Sequence, residues 1–136
     1  MKRLILFMTA ILALSCISAL AQRVTNSSYS TIGYIKDDGT VQSSSFSTIA
    51  YFKGSGAVQD ASFRTIGYIK DNGTVQDASY RTIGYIKSDG TVQDSSFRTV
   101  GYVKSDGTVQ DSSFRTIGYA KGIRRRWAAF FFFFMG

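Results

Sequence analysis

The stretch "RTIGYIKSDGTVQDSSF", residues 81–97, is followed without a gap by "RTVGYVKSDGTVQDSSF", residues 98–114, the same seventeen residues with two Ile changed to Val. Self-similarity at a fixed period decides the architecture before any local reading, because each unit must be able to pack against its copies. Phased from the residue after each turn Gly, the units are 23–39, 40–56, 57–73, 74–90, 91–107 and 108–124. The first, "RVTNSSYSTIGYIKDDG", is degenerate yet keeps Val24, Ser28, Tyr29, Thr31, Ile32, Gly33 and Tyr34 in register, and the last loses its turn.

Each unit reads as two short strands. "RTIGYIK" is β-branched and aromatic, "TVQD" is a second short run, and Asp-Gly or Asn-Gly lies between them, which predicts a tight hairpin with a type I′ turn. Dense Ser and Thr, a Gly in nearly every unit and the lack of a 3.6-residue period argue against helix. Hairpins closed by the Gly turns pair 32–36 with 40–43, 49–53 with 57–60, 66–70 with 74–77, 83–87 with 91–94 and 100–104 with 108–111. Val24 to Asn26 at the start and Thr116 to Ala120 at the end are left over, and they are the two halves of one more hairpin. Pairing them closes a ring and removes the exposed strand edges. The expected fold is therefore all-β, with tandem 17-residue β-hairpin repeats as petals of a closed, flower- or propeller-like ring. Petals packed side by side like blades would use Gly33, Gly67, Gly84, Gly101 and Gly118 for close approach, with Ala50 as the exception.

The unit "RTIGYIKSDGTVQDSSF", repeated whole over about residues 23–121, resembles that of the secreted bacterial five-fold beta-flower proteins, in which hairpins are arranged as petals about an axis. The resemblance implies that fold and little about activity, since the family carries no assigned reaction and no functional residues to transfer. The 47–56 petal and the Arg- and Phe-rich end depart from the pattern.

Outside the repeats, Met1-Lys2-Arg3, the apolar run from Leu4 to Leu14 and Ala19-Leu20-Ala21 read as a secretory signal over residues 1–21, with Gln22 as the new N-terminus. Lipidation at Cys16 is the rival, but the preceding Ala13-Leu14-Ser15 matches it poorly. Cleavage after Ala21 leaves a chain without cysteine. The domain plan is then a signal peptide (1–21), a repeat domain (22–121) and a tail (122–136), and the protein is expected to be exported to the periplasm, the cell surface or beyond. The formal charge of +7 falls to +5 once Lys2 and Arg3 are gone, and Arg124, Arg125 and Arg126 supply three of those five. A nucleic-acid binder would spread its basic residues over a face, so nucleic acid is excluded as a partner.

Chemistry has few residues to work with. There is no His and no Glu, and with Cys16 gone the nucleophilic and metal-site constellations are missing. Asp37-Asp38 reads as a turn rather than a cation site, and no enzyme, cofactor or metal is expected. Asp and Arg come and go together. Asp60 is followed by Arg64, Asp77 by Arg81, Asp94 by Arg98 and Asp111 by Arg115, while both members are lost where Asn26 precedes Ser30 and Ser43 precedes Ser47. This reads as a structural ion pair across the corner between petals, with a neighbouring petal in its reach, setting register more than stability. Two arrays persist in all six units: Tyr34, Tyr51, Tyr68, Tyr85, Tyr102, Tyr119, and Lys36, Lys53, Lys70, Lys87, Lys104, Lys121. They are the candidate binding ring, multivalent toward a glycan, an anionic polymer or another surface protein. Set against that is packing between petals for Tyr and edge protection for Lys.

The tail breaks the pattern. Arg124, Arg125, Arg126 and Trp127 precede Phe130, Phe131, Phe132, Phe133 and Phe134, an aggregation hazard if exposed and too short for a helical membrane span. A plug over one end of the ring or a self-association patch, a membrane contact, and a targeting signal are the readings, in that order. The function expected is a non-catalytic binding or scaffolding module of unknown ligand, with self-assembly through the tail as the alternative.

Overall fold

The computed structural model describes residues 21–135, so the expected signal segment and Cys16 lie outside the described residues apart from Ala21. Twelve strands follow in chain order: β1 (Gln22–Asn26), β2 (Thr31–Ile35), β3 (Thr40–Gln42), β4 (Thr48–Phe52), β5 (Ala57–Asp60), β6 (Thr65–Ile69), β7 (Thr74–Asp77), β8 (Thr82–Ile86), β9 (Thr91–Asp94), β10 (Thr99–Val103), β11 (Thr108–Asp111) and β12 (Thr116–Tyr119). Every neighbouring pair is antiparallel, and β1 meets β12 through Thr25↔Tyr119 and Asn26↔Gly118. The result is a closed barrel. The two half-units at the chain's ends are therefore its seam, and six petals complete the circle.

Two features differ from the expectation. The petals are not separate blades packed face to face: adjacent hairpins share ladder hydrogen bonds, so the wall is one continuous sheet. The Gly turn is not type I′. Lys36 N–H donates to Thr40 C=O (2.9 Å), Gly39 N–H donates back to Lys36 C=O (2.9 Å), and positive φ occurs at Gly39 (+93°) but not at Asp38. With three residues in the loop, a type I turn followed by one left-handed residue gives the twist that a primed turn gives with two.

The other turn of each unit repeats this geometry without glycine. Asp60 N–H donates to Arg64 C=O (2.8 Å), Phe63 N–H donates to Asp60 C=O (3.0 Å), and Phe63 holds φ +66°. Beyond it the ladder carries a bulge: Gln59 faces Thr65 and Val58 faces Gly67, leaving Ile66 unpaired. The extra residue increases local twist and breaks the strict alternation. In three petals the extra residue, Ile83, Val100 or Ile117, packs against the core, whereas Ile32, Ile49 and Ile66 are exposed.

Inside the wall stand Val24, Val41, Val58, Val75, Val92 and Val109, one per petal and all fully buried, with Ile35, Phe52, Ile69, Ile86, Val103 and Ala120 beside them. Eight strands enclose a space that side chains just fill, and twelve enclose more. The tail occupies the difference as a helix, α1 (Arg125–Phe133), and a helix with its side chains is about 10–12 Å across. Four consecutive phenylalanines meet four adjacent petals: a Cβ added to Gly33, Gly118, Gly101 or Gly84 would run into Phe131, Phe132, Phe133 or Phe134 respectively. Phe130 takes Gly67. The sixth petal carries Ala50 instead, and there Phe52 stacks on Trp127 with ring centroids 5.4 Å apart and planes 6° apart. The glycines thus admit both a ring and the carbonyl of the adjoining strand, Gln76 C=O at Gly67 and Gln93 C=O at Gly84 among them.

Arg125 and Arg126 fix the helix at the Gly-turn end by donating to the carbonyls of Ser88 and of Lys70 and Asp71, while the Arg124 guanidinium lies 4.7 Å over Trp127. No helix among the described residues is long and apolar enough to cross a membrane.

Candidate functional site

On the outer wall the six tyrosines each stack on the left-handed aromatic of the next turn: Tyr34 on Phe46, Tyr51 on Phe63, Tyr68 on Tyr80, Tyr85 on Phe97, Tyr102 on Phe114 and, across the seam, Tyr119 on Tyr29. Centroids lie 4.6 to 4.9 Å apart. The inner partner is half-buried, and the outer one is 62–66% exposed at φ 64–67°. Left-handed backbone is ordinarily left to Gly or Asn, since Cβ then crowds the carbonyl at a cost of about 1–2 kcal/mol. Offset stacking, as of Phe97 on Tyr85, gives back about 0.5–1.5 kcal/mol. Stability alone therefore hardly favours a large aromatic here over glycine, yet each petal has one.

Between petals these pairs border shallow grooves. One, about 480 Å³, is lined by Tyr68, Tyr80, Lys70, Gln76, Asp71 and Asn72 among others. The next, about 520 Å³, has Tyr85, Phe97, Lys87, Gln93 and Asp89. At the seam a groove of about 310 Å³ is lined by Gln22, Arg23, Thr25, Tyr29, Tyr119 and Lys121. Tyr and the Lys two residues after it, just past the strand end, thus meet in three grooves. Lys36 and Lys53 instead face gaps beside the start of the tail.

The Asp residues serve the turns. Asp60 Oδ1 accepts from the N–H groups of Ser62 (2.9 Å) and Arg64 (3.0 Å), and Oδ2 accepts from Arg64 Nε (3.1 Å). The same arrangement recurs with ion pairs of 3.0 Å between Asp77 and Arg81, between Asp94 and Arg98, and between Asp111 and Arg115. The Arg64 N–H above all, helped by the Ser62 N–H and the Arg64 guanidinium, holds the Asp60 carboxyl below its ordinary range against the opposing effect of desolvation. In the two units without Asp, Asn26 Oδ1 and Ser43 Oγ accept the same pair of N–H groups, so the turn survives without its charge. Asp38, Asp89 and Asp106 likewise accept from Thr40, Thr91 and Thr108, whose N–H groups lower their carboxyls.

The ion pairs expected at the corners between petals are present in four of the six turns. Arg64, Arg81, Arg98 and Arg115 each close on the Asp four residues earlier, across the turn that joins one Gly-turn hairpin to the next, and no ion pair among the described residues reaches beyond that turn. Their side chains are 80–81% exposed, so water screens the attraction and each pair contributes little. Register is set by the Asp oxygen on two backbone N–H groups, a task that Asn26 and Ser43 perform with no arginine at all. Arg81, Arg98 and Arg115 therefore span the corner between petals but, facing solvent, add little to the hold that the oxygens of Asp77, Asp94 and Asp111 already have on it. A five-residue turn keeps its ends within one side chain's reach, which is why the partners co-occur at a fixed spacing in sequence.

Tyr68 and Tyr119 share hydroxyl hydrogen bonds with Tyr80 (3.1 Å) and Tyr29 (3.2 Å), which push both phenols upward. The array combines flat apolar rings, an amide and an ammonium group, which suits stacking and hydrogen bonding to an uncharged polar ligand.

Reading the sequence for reactive groups passes over two members of each groove, Gln and the turn aromatic. A bulky ring always twelve residues after the Tyr, within a Ser-rich turn, is the signal that would have disclosed the second. Gln42, Gln59, Gln76, Gln93 and Gln110 recur just as regularly.

Neither the curated proteins nor the solved structures contain a match to this chain. A family model described as "5-fold beta-flower protein" matches residues 21–135, taking in the Phe-rich end as well as the repeats. This chain closes six petals rather than five. With the match spanning the barrel and its central helix, the chain belongs to the 5-fold beta-flower protein family.

Proposed function

We propose that the protein is an exported, non-catalytic binding module whose outer-wall grooves hold saccharide units. The observation that carries this reading is the exposed aromatic held at positive φ in every petal. Backbone strain that folding does not require is the kind retained for a ligand. Each such ring offers a free face to the apolar side of a pyranose, with a Gln amide and a Lys ammonium at hand for the hydroxyls. Grooves of about 310–520 Å³ are in the range of small-ligand sites. Because they face outward around a ring, one molecule can hold several glycan strands, so weak contacts add through effective concentration. The tail rings are engaged in the lumen, which favours this over assembly through the tail. Export rests on the reading of residues 1–21.

The test is binding of immobilised oligosaccharides, cellotetraose among them, by the wild-type chain and by a Tyr68→Ala, Tyr85→Ala, Tyr102→Ala variant shown to be folded. Loss of binding in the variant supports the reading. Undiminished binding, or a chain that captures protein and no glycan, overturns it.

A further inference from the structure

The seam groove differs from the Tyr68 groove in one direction. Both rest on a tyrosine pair with touching hydroxyls. At equivalent repeat positions, however, Arg23 replaces Thr74, Thr25 replaces Gln76 and Gly122 replaces Asp71. The seam groove therefore gains a guanidinium and loses a carboxylate, and its lining has Arg23 and Lys121 with no acid. The Tyr68 groove has Lys70 beside Asp71, and the Tyr85 groove has Asp71 and Asp89. The acid that acts on Tyr119 from outside this lining is Asp106, which is committed to the Thr108 N–H. Arg23 is held by one bond to the Tyr29 carbonyl (3.1 Å), leaving further N–H donors.

A second observation is independent of charge. Thr25, 6% exposed, is one of the residues lining this groove, and its buried hydroxyl has no partner, the single buried side-chain polar atom so left among the described residues. A buried hydroxyl without a partner costs stability, and a ligand group reaching it would remove that cost.

We infer that the seam groove is a separate site for the carboxylate-bearing unit of an acidic saccharide, with Arg23 and Lys121 on the carboxylate, Thr25 on a ring hydroxyl and the Tyr29–Tyr119 pair under the sugar face. The inference rests on reading the grooves as saccharide sites, and it adds that one position of the ring selects charge. The seam can differ because the turn after Tyr119 is given up to enter the helix, which removes the acid that the Asp71 position supplies.

The experiment is calorimetric titration of the exported chain with two probes that share one backbone: cellotetraose, which is neutral, and β-1,4-tetraglucuronate, which is acidic. The acidic probe is expected to bind one site per chain at least tenfold tighter than the neutral one, and to weaken with added salt. Arg23→Gln with Lys121→Gln should erase that preference and leave cellotetraose binding at the other grooves, while Arg23→Lys should retain most of it, which separates charge from any effect on folding. Equal stoichiometry for both probes, an acidic affinity indifferent to the double substitution, or inorganic phosphate competing as well as the glucuronate would each overturn the inference. Acidic binding at one site with no cellotetraose binding would support the seam site and overturn the general groove reading. Binding of neither probe would overturn both.

Discussion

The inner and outer faces of β8 are built from alternate residues of one five-residue strand and are put to opposite uses. Inward, Gly84 leaves room for the Phe134 ring and Ile86 is fully packed. Outward, Tyr85 stacks on a Phe97 that remains 64% exposed. The inner face is individual: glycine opposes Phe in five petals, and the sixth has a buried Ala50 with Phe52 stacked on Trp127. The outer face is uniform, with the same stack repeated round the ring. Stability is concentrated where side chains are matched one to one. Exposed surface is kept where they are merely repeated.

The sharpest way to break that contrast is to remove the tail. Without residues 124–136 the lumen has no occupant, and the chain is expected to lose cooperative thermal unfolding by circular dichroism. A folded, stable truncation would mean that the wall closes on its own. Next in size, Phe130→Ala, at a fully buried ring, should cost about 3–5 kcal/mol in denaturant unfolding, while Phe97→Ala on the outer wall should cost far less. Third, Gly84→Ala puts a methyl 2.5 Å from the Gln93 carbonyl oxygen and 2.6 Å from the Phe134 ring, whereas at Gly67 the Gln76 carbonyl oxygen is 2.8 Å away and the Phe130 ring stands off at 3.4 Å. The first should cost about 1–3 kcal/mol and the second less, and Phe134→Ala should recover part of the Gly84→Ala loss if the ring is what it meets.

Smaller again is the response to acid. Asp60, Asp77, Asp94 and Asp111 have folded-state carboxyls below the ordinary 3.8. Their contribution is therefore present above the unfolded value and lost as pH falls through the folded one. Replacing all four with Asn should flatten the pH dependence of the midpoint below about pH 5 and leave it unchanged at neutral pH, because Asn26 already makes the same turn. Smallest of all is Phe97→Gly, which relieves the left-handed strain and loses the stack. Its effect on stability should fall within about 1 kcal/mol, while binding at that groove is lost.

What could be read from the sequence was whatever repeats. The period, the hairpins and the pairing of Val24–Asn26 with the last strand follow from edges that must be satisfied. The wall's handling of its interior did not follow, because the width of a twelve-stranded barrel is a property of closure rather than of any unit, and only that width gives "FFFFF" a destination. The tail could be read as a hidden plug but not as a helix seated ring by ring on Gly33, Gly67, Gly84, Gly101 and Gly118. The pairing of Arg81, Arg98 and Arg115 with the preceding acids was legible from co-occurrence, but its exposure was not, because that depends on which way the turn faces. The turn aromatic escaped for a different reason: nothing in "DSSFRT" announces positive φ at Phe, which local propensity opposes. The Tyr and Lys arrays were visible as arrays, but their meeting with Gln in a groove depends on the strand next door.

The most direct test of the division between a matched interior and a proposed binding exterior is amide NMR of the isotope-labelled chain titrated with cellotetraose. The account predicts shifts at Tyr85, Gln93, Phe97 and their counterparts, with Ala128, Ala129 and Phe130 unmoved. Shifts confined to the tail, with the outer wall unchanged, would contradict it.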